Sequence, residues 1–169
     1  MITLFQRLSS SDHVKIICPH APTKQVTMNP MFPMPSWFDI KSLDFNGIRD
    51  EAGINESIQY VRKYIDGELS KGIPADRIII GGFSQGAALS CHIFEKSAEA
   101  FAGCIMLSGF LVLHDKRAQL SIKDKTRPMF VGHGDSDNVV AYEYGKKSVE
   151  FLKKDHTSVE KLASNLHNF

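Results

Sequence analysis

The nine residues Ile78-Ile79-Ile80-Gly81-Gly82-Phe83-Ser84-Gln85-Gly86 constrain this chain more than any other stretch. Three β-branched residues in succession read as a buried strand. Gly82-Phe83-Ser84-Gln85-Gly86 then fits G-x-S-x-G, and Ala87-Ala88-Leu89-Ser90-Cys91-His92-Ile93-Phe94 reads as a helix. Strand, tight turn and helix are the setting of a nucleophile elbow, where a serine stands exposed in a sharp turn. Flanking glycines let strand and helix approach closely. The helix N-terminus turns free N–H groups and the positive end of its dipole toward the serine, which stabilises a developing oxyanion. A glycine-rich turn that merely holds a serine is the plain alternative. The strand before it and the apolar helix after it favour the elbow.

A chain of 169 residues suits one domain with a sizeable core. The formal net charge is +1 and the basic residues are scattered, so there is no electrostatic case for nucleic acid or an anionic membrane. No apolar run reaches the length of a membrane span. Met1-Ile2-Thr3-Leu4-Phe5-Gln6-Arg7 is not a basic region followed by a long apolar core, so no signal peptide is expected, nor a lipid anchor at either end. Cys18, Cys91 and Cys104 are odd in number, far apart and set in apolar stretches. They argue against a disulfide frame or a zinc knuckle and for a reducing compartment, with each read as a small buried hydrophobe. A cytoplasmic protein without a metal site is the expectation.

In chain order, Leu4, Phe5 and Leu8 mark the end of a helix within 1–11, and Val14-Lys15-Ile16-Ile17-Cys18 reads as a short strand stopped by Pro19 and Pro22. Residues 23 to 49, with Pro30, Pro33, Pro35, Met28, Met31 and Met34, read as a long loop. Trp37 and Phe38 suggest that it is ordered and packed over the body. Its thioethers and prolines either form a soft surface for an alkyl chain or simply cover the core. Ile54, Ile58, Val61, Ile65 and Leu69 predict a helix from about Asp50 to Lys71, ended by Gly72 and Pro74. Further strands are expected near Gly103 to Leu107 and at Met129-Phe130-Val131-Gly132. A helix follows from about Tyr142 to Lys154, then a short segment from Ser158 to Leu162 that could be a strand. Short apolar strands alternating with helices make a parallel sheet covered on both faces, with ligands beyond the carboxyl ends of the strands.

A serine needs a base, and the base needs an orienting carboxylate. In this architecture the chain order is Ser, then an acid after a later strand, then His. Asp135 and Asp137 both qualify by position, although Asp also forms turns and caps helices. His156 and His167 remain for the base. His156 ends a helix beside Lys153 and Lys154 and reads as a solvated last-turn residue; His167 follows a candidate strand but lies two residues before Phe169. The remaining histidines are read as structural.

These residues resemble the acyl-protein thioesterases of the lysophospholipase type, a carboxylesterase-like branch of the α/β-hydrolases. The resemblance runs from about His13 to Lys154. It is carried by Ile17-Cys18-Pro19-His20-Ala21-Pro22, Pro35-Ser36-Trp37-Phe38-Asp39, Gly72-Ile73-Pro74, Arg77-Ile78-Ile79-Ile80-Gly81-Gly82-Phe83-Ser84-Gln85-Gly86 and His133-Gly134-Asp135-Ser136-Asp137. It implies Ser84 as nucleophile, Asp137 as the orienting acid and a backbone N–H of Gln85 toward the oxyanion. His167 is the expected base, and Trp37, Met34 and Phe38 are the candidate substrate-binding residues. The resemblance implies hydrolysis of palmitoyl-type thioesters on S-acylated proteins, and of esters such as lysophospholipids, without a cofactor. Transient contact with a membrane surface is compatible with it.

The pattern departs from the family in two places. The family begins with a further strand ending in His-Gly-x-Gly-Asp, whose loop supplies a second oxyanion donor. That strand lies between the Val14–Cys18 strand and the Ile78–Ile80 strand. The expectation is therefore one incomplete α/β-hydrolase domain over 1–169, truncated at the N-terminus and lacking the first central strand. Its two flanking strands either pair directly or leave a seam. At the other end, Ser164-Asn165-Leu166-His167-Asn168-Phe169 only approximates the family's Gly-x-x-His-Ser-like turn. Two other readings stay open: a catalytically impaired remnant that binds acyl groups or acylated proteins, and a carboxylesterase for small esters.

Overall fold

A computed structural model describes residues 13–42, 50–119 and 124–164. The helix expected within 1–11 and the candidate base His167 lie outside them.

Residues 14–18 belong to neither sheet, and Val14 and Ile16 are exposed. The expected strand there is corrected: with no neighbouring ladder to satisfy its amides, the segment makes none. It is tied down instead by Lys15, whose Nζ sits 2.7 Å from Glu68 Oε1. The expected long loop from 23 is corrected too. Its first part is an antiparallel hairpin of β1 (Thr23–Val26) and β2 (Asn29–Pro35), joined by Thr27 and Met28. Proline is tolerated in a two-stranded ribbon because half the amides of each strand face outward. The turn is fastened by Asp39, whose carboxylate accepts from the Thr27 amide (2.7 Å) and hydroxyl (2.6 Å).

Helix α1 spans Glu51–Leu69. Asp50 caps it by accepting from Gly53 N at 3.0 Å. A Cβ at position 53 would lie 2.1 Å from Asp50 Oδ2, so the cap requires glycine there. Gly72 at φ +87° ends the helix as expected.

The main sheet is parallel, in the order β3 (Ile79–Phe83), β4 (Gly103–Leu107), β5 (Met129–Gly134), β6 (Val159–Ser164). Helix α2 (Gln85–Lys96) connects β3 to β4, and α3 (Tyr142–Asp155) connects β5 to β6. Register places Ile80, Cys104 and Met129 side by side, and Gly82, Met106 and Val131 likewise. Paired residues share a face. That face is buried, with Met106 and Val131 essentially inaccessible. Helix α2 packs on β3 and β4, and α3 on β5 and β6. Phe38, Ile54, Phe94, Phe101 and Leu152 complete the core.

Among the described residues β3 is an edge strand. Ile79 on it is 60% exposed. Of the two arrangements expected beside β3, direct pairing with 14–18 is not observed. The parallel sheet with its helices is the arrangement expected from the resemblance to the α/β-hydrolases. No helix among the described residues is long and apolar enough to cross a membrane.

Candidate active site

Ser84 occupies the turn between β3 and α2 at φ +52°, ψ −121°. This region suits glycine and costs an L-residue on the order of 1–3 kcal/mol, so it persists only where neighbours enforce it. They do so from both sides. The Ser84 amide donates to Leu107 O of β4 at 2.9 Å, and the Ser84 carbonyl accepts from Ala87 N (3.0 Å) and Ala88 N (3.1 Å). Ser84 is the residue that caps α2, yet its side chain makes no capping hydrogen bond. A serine at that position normally spends its oxygen on the helix; here it does not. The residue is partly exposed, as an elbow requires.

Closeness at the turn depends on missing side chains. A Cβ on Gly82 would fall 2.4 Å from the carbonyl of Gly86, and one on Gly109 would fall 2.6 Å from the Ala87 side chain. Gln85 and Gly86 open α2, where amides have no acceptor within the helix.

Beyond the carboxyl end of β5, the sequence His133-Gly134-Asp135-Ser136-Asp137 separates its two aspartates. Asp135 is exposed and accepts from the neighbouring Ser136 hydroxyl. Asp137 is only 14% exposed at its side chain. Its Oδ1 accepts from both Val139 N and Val140 N at 2.9 Å. Its Oδ2 stands 3.6 Å from Nε2 of buried His133, which donates to Val140 O at 2.9 Å. The carboxylate is therefore held rigidly, with one oxygen committed to the turn. The ends of the strands align: Phe83 pairs with Leu107, and Leu107 with Gly132. Ser84 and the Asp137 turn thus sit at the same end of the sheet, two strands apart. Strand β6 follows β5 in the sheet and runs two residues past the expected Leu162.

Trp37 is half-buried and Met34 is exposed, whereas Phe38 is wholly buried in the core. His156 is corrected: it is 3% exposed, not a solvated last-turn residue, and its Nε2 lies 3.2 Å from Oε1 of buried Glu95 on α2. No spacing rule signals a pair 61 residues apart. Cys91 and Cys104 are buried as expected, but Cys18 is exposed because its segment joins no sheet. A shallow depression lined by Ile79, Gly103, Pro128 and Ser158 opens at the amino ends of the strands, away from Ser84. Among the described residues no cluster of His, Cys, Asp or Glu could hold a metal ion.

A strained serine between a parallel strand and its helix, with a carboxylate turn two strands away, defines the α/β-hydrolase class. The family described as Phospholipase/Carboxylesterase matches residues 1–168, and the chain belongs to that family. It is 47% identical over 146 residues to acyl-protein thioesterase 1 homolog 1 of Dictyostelium discoideum, covering 85% of this chain and 64% of that relative. It is 43% identical over 162 residues to acyl-protein thioesterase 1 of Mycosarcoma maydis, covering 90% of this chain and 67% of the relative. Among solved structures, Zea mays acyl-protein thioesterase 2 aligns with a TM-score of 0.80 at 26% identity, over 97% of this chain and 78% of that one. Arabidopsis thaliana SOBER1 aligns with a TM-score of 0.81 at 29% identity, over 89% of this chain and 74% of that one. The chain thus spans about two thirds of the length of these curated relatives.

Proposed function

We propose that the chain is a serine hydrolase acting on fatty acyl thioesters of S-acylated proteins, and on related acyl esters such as lysophospholipids. The observation that carries this reading is the backbone of Ser84, held at φ +52° with its hydroxyl unused by the helix it caps. In the proposed reaction the Ser84 oxygen attacks the acyl carbon while His167 takes its proton. Asp137 orients the imidazole and balances its charge. The Gln85 amide donates to the oxyanion. Collapse of the tetrahedral intermediate expels the thiol, which takes the proton from the imidazolium, and water then releases the acid by the same route. The acyl chain lies against Trp37 and Met34, with buried Phe38 anchoring the turn that carries Trp37. Nothing in this sequence of steps calls for a cofactor. The reading includes a cytoplasmic location, one domain over 1–169 and transient contact with membrane surfaces through the exposed Met28, Phe32 and Met34 of the hairpin.

A second reading, an acyl-binding protein without turnover, is favoured by the exposure of Ile79 on β3, the edge strand among the described residues. A fluorophosphonate probe separates the two. Labelling of the parent chain that is lost in Ser84→Ala, together with thioester turnover, supports the hydrolase; no labelling supports the binding protein. Turnover confined to short acyl esters would point to a small-ester carboxylesterase.

A further inference from the structure

The carboxamide of Gln85 takes no part in the chemistry proposed above, yet it is densely bonded. Its Oε1 accepts from Trp37 N at 2.9 Å, and its Nε2 donates to Phe38 O at 2.8 Å and to Ser36 Oγ at 2.9 Å. The Ser36 hydroxyl donates in turn to Phe38 O at 2.7 Å. These partners are three consecutive residues nearly fifty positions away in sequence. Ser36 and Phe38 are buried, so their polar atoms have this group in place of water. Trp37 is held from its other side by Ser57 of α1, whose hydroxyl donates to Trp37 O. The indole lies 6.1 Å from the Tyr60 ring, and its Nε1 is 3.7 Å from where a Gly86 Cβ would stand. A group of this kind must present an acceptor and two donor hydrogens on one plane, at the reach of two methylenes. Only glutamine does so. A glutamate would turn an oxygen toward the Phe38 carbonyl, an asparagine is one methylene short, and a leucine offers nothing.

We propose that Gln85 is a positioning residue whose side chain clamps the Ser36–Phe38 turn onto the elbow, so that Trp37 forms a fixed wall beside the first turn of α2 and limits which acyl groups reach Ser84. The clamp stands on the geometry alone; the role of the wall rests on the reading of Ser84 as nucleophile. Position 85 thereby couples the oxyanion amide and the acyl wall in a single residue.

Trp37 is the only tryptophan in the chain, so its emission reports on the clamp directly. Gln85→Leu and Gln85→Glu are compared with the parent protein by tryptophan emission, acrylamide quenching and steady-state hydrolysis of a long-chain acyl thioester. Gln85→Leu is expected to shift emission to the red, to raise the quenching constant about twofold and to raise KM about tenfold, with kcat changed far less. Gln85→Glu keeps the acceptor for Trp37 N and falls between. Ser36→Ala serves if Gln85→Leu fails to fold, with a smaller shift of the same sign. Unchanged emission and quenching in a folded variant overturn the clamp. Altered emission with unchanged KM overturns the wall. A parent chain that turns over nothing defeats the reading of Ser84 and the wall with it, while the fluorescence result still decides the clamp.

Discussion

Gly82 and Gly86 close the elbow against each other: a Cβ on the first would sit 2.4 Å from the carbonyl carbon and oxygen of the second. Backbone cannot yield as a flexible side chain can, so Gly82→Ala is expected to cost on the order of 3 kcal/mol and to abolish probe labelling. Gly67 on α1 has open space around its Cβ position. Gly67→Ala should gain roughly 0.5–1 kcal/mol and leave labelling intact. Urea unfolding of both variants checks the contrast.

Replacement of Ser84 separates strain from chemistry. Glycine and alanine both remove the hydroxyl, but only glycine adopts φ +52°, ψ −121° without steric cost. Ser84→Gly is therefore expected to exceed Ser84→Ala in stability by about 1–2 kcal/mol, with neither labelled. Equal melting temperatures would show that the backbone at 84 is relaxed.

The two aspartates after β5 should differ sharply. An amide oxygen at 137 still accepts from Val139 N and Val140 N, so Asp137→Asn is expected to fold. On the proposed reading it loses the charge that balances an imidazolium, and turnover should fall by about four powers of ten. Asp135→Asn, exposed and bonded among the described residues to its neighbour's hydroxyl, should stay within about a factor of two. Parallel kinetics on the two variants check this.

The hairpin carries a pH dependence. The Thr27 hydroxyl, and after it the Thr27 amide, hold the Asp39 carboxyl below its ordinary value of 3.8. A depressed folded pKa gives stability that is present in full above the unfolded value and lost as pH falls through the folded one. Acidification below about pH 4 should therefore loosen the turn. The emission of Trp37, two residues away, reports it. Asp39→Asn should show the loosened emission at neutral pH and lose the acid transition.

The Glu95–His156 pair is buried on both sides. Glu95→Ala strands a buried imidazole and should cost about 3 kcal/mol. Glu95→Gln keeps an oxygen facing His156 and should cost less. Denaturant midpoints measure the difference.

What the sequence revealed was local. The strand-turn-helix at Ile78–Phe94, the cap at Asp50, the stop at Gly72 and the strand at Met129 each carry their signal within a few residues. The hairpin was hidden because prolines at 30, 33 and 35 read as loop, whereas the ladder depends on Asp39 reaching back to Thr27. The Val14–Cys18 segment has the composition of a strand, but a ladder also needs a neighbour, and none of the described residues provides one. Asp135 and Asp137 differ in burial and bonding, which spacing does not express. The bonds from Gln85 to Ser36–Phe38 and from Glu95 to His156 join residues dozens of positions apart, and no periodicity marks them.

Ser84 hangs from the outermost strand of the parallel sheet among the described residues, with Leu107 of β4 as the acceptor for its amide. Peripheral strands fray at lower temperatures than central ones. Once that tie slackens, the backbone at 84 is free to unwind into a roomier conformation. If Ser84 acts as proposed, warming should reversibly end its labelling while most of the circular dichroism survives, a thermal fuse wired to this one turn.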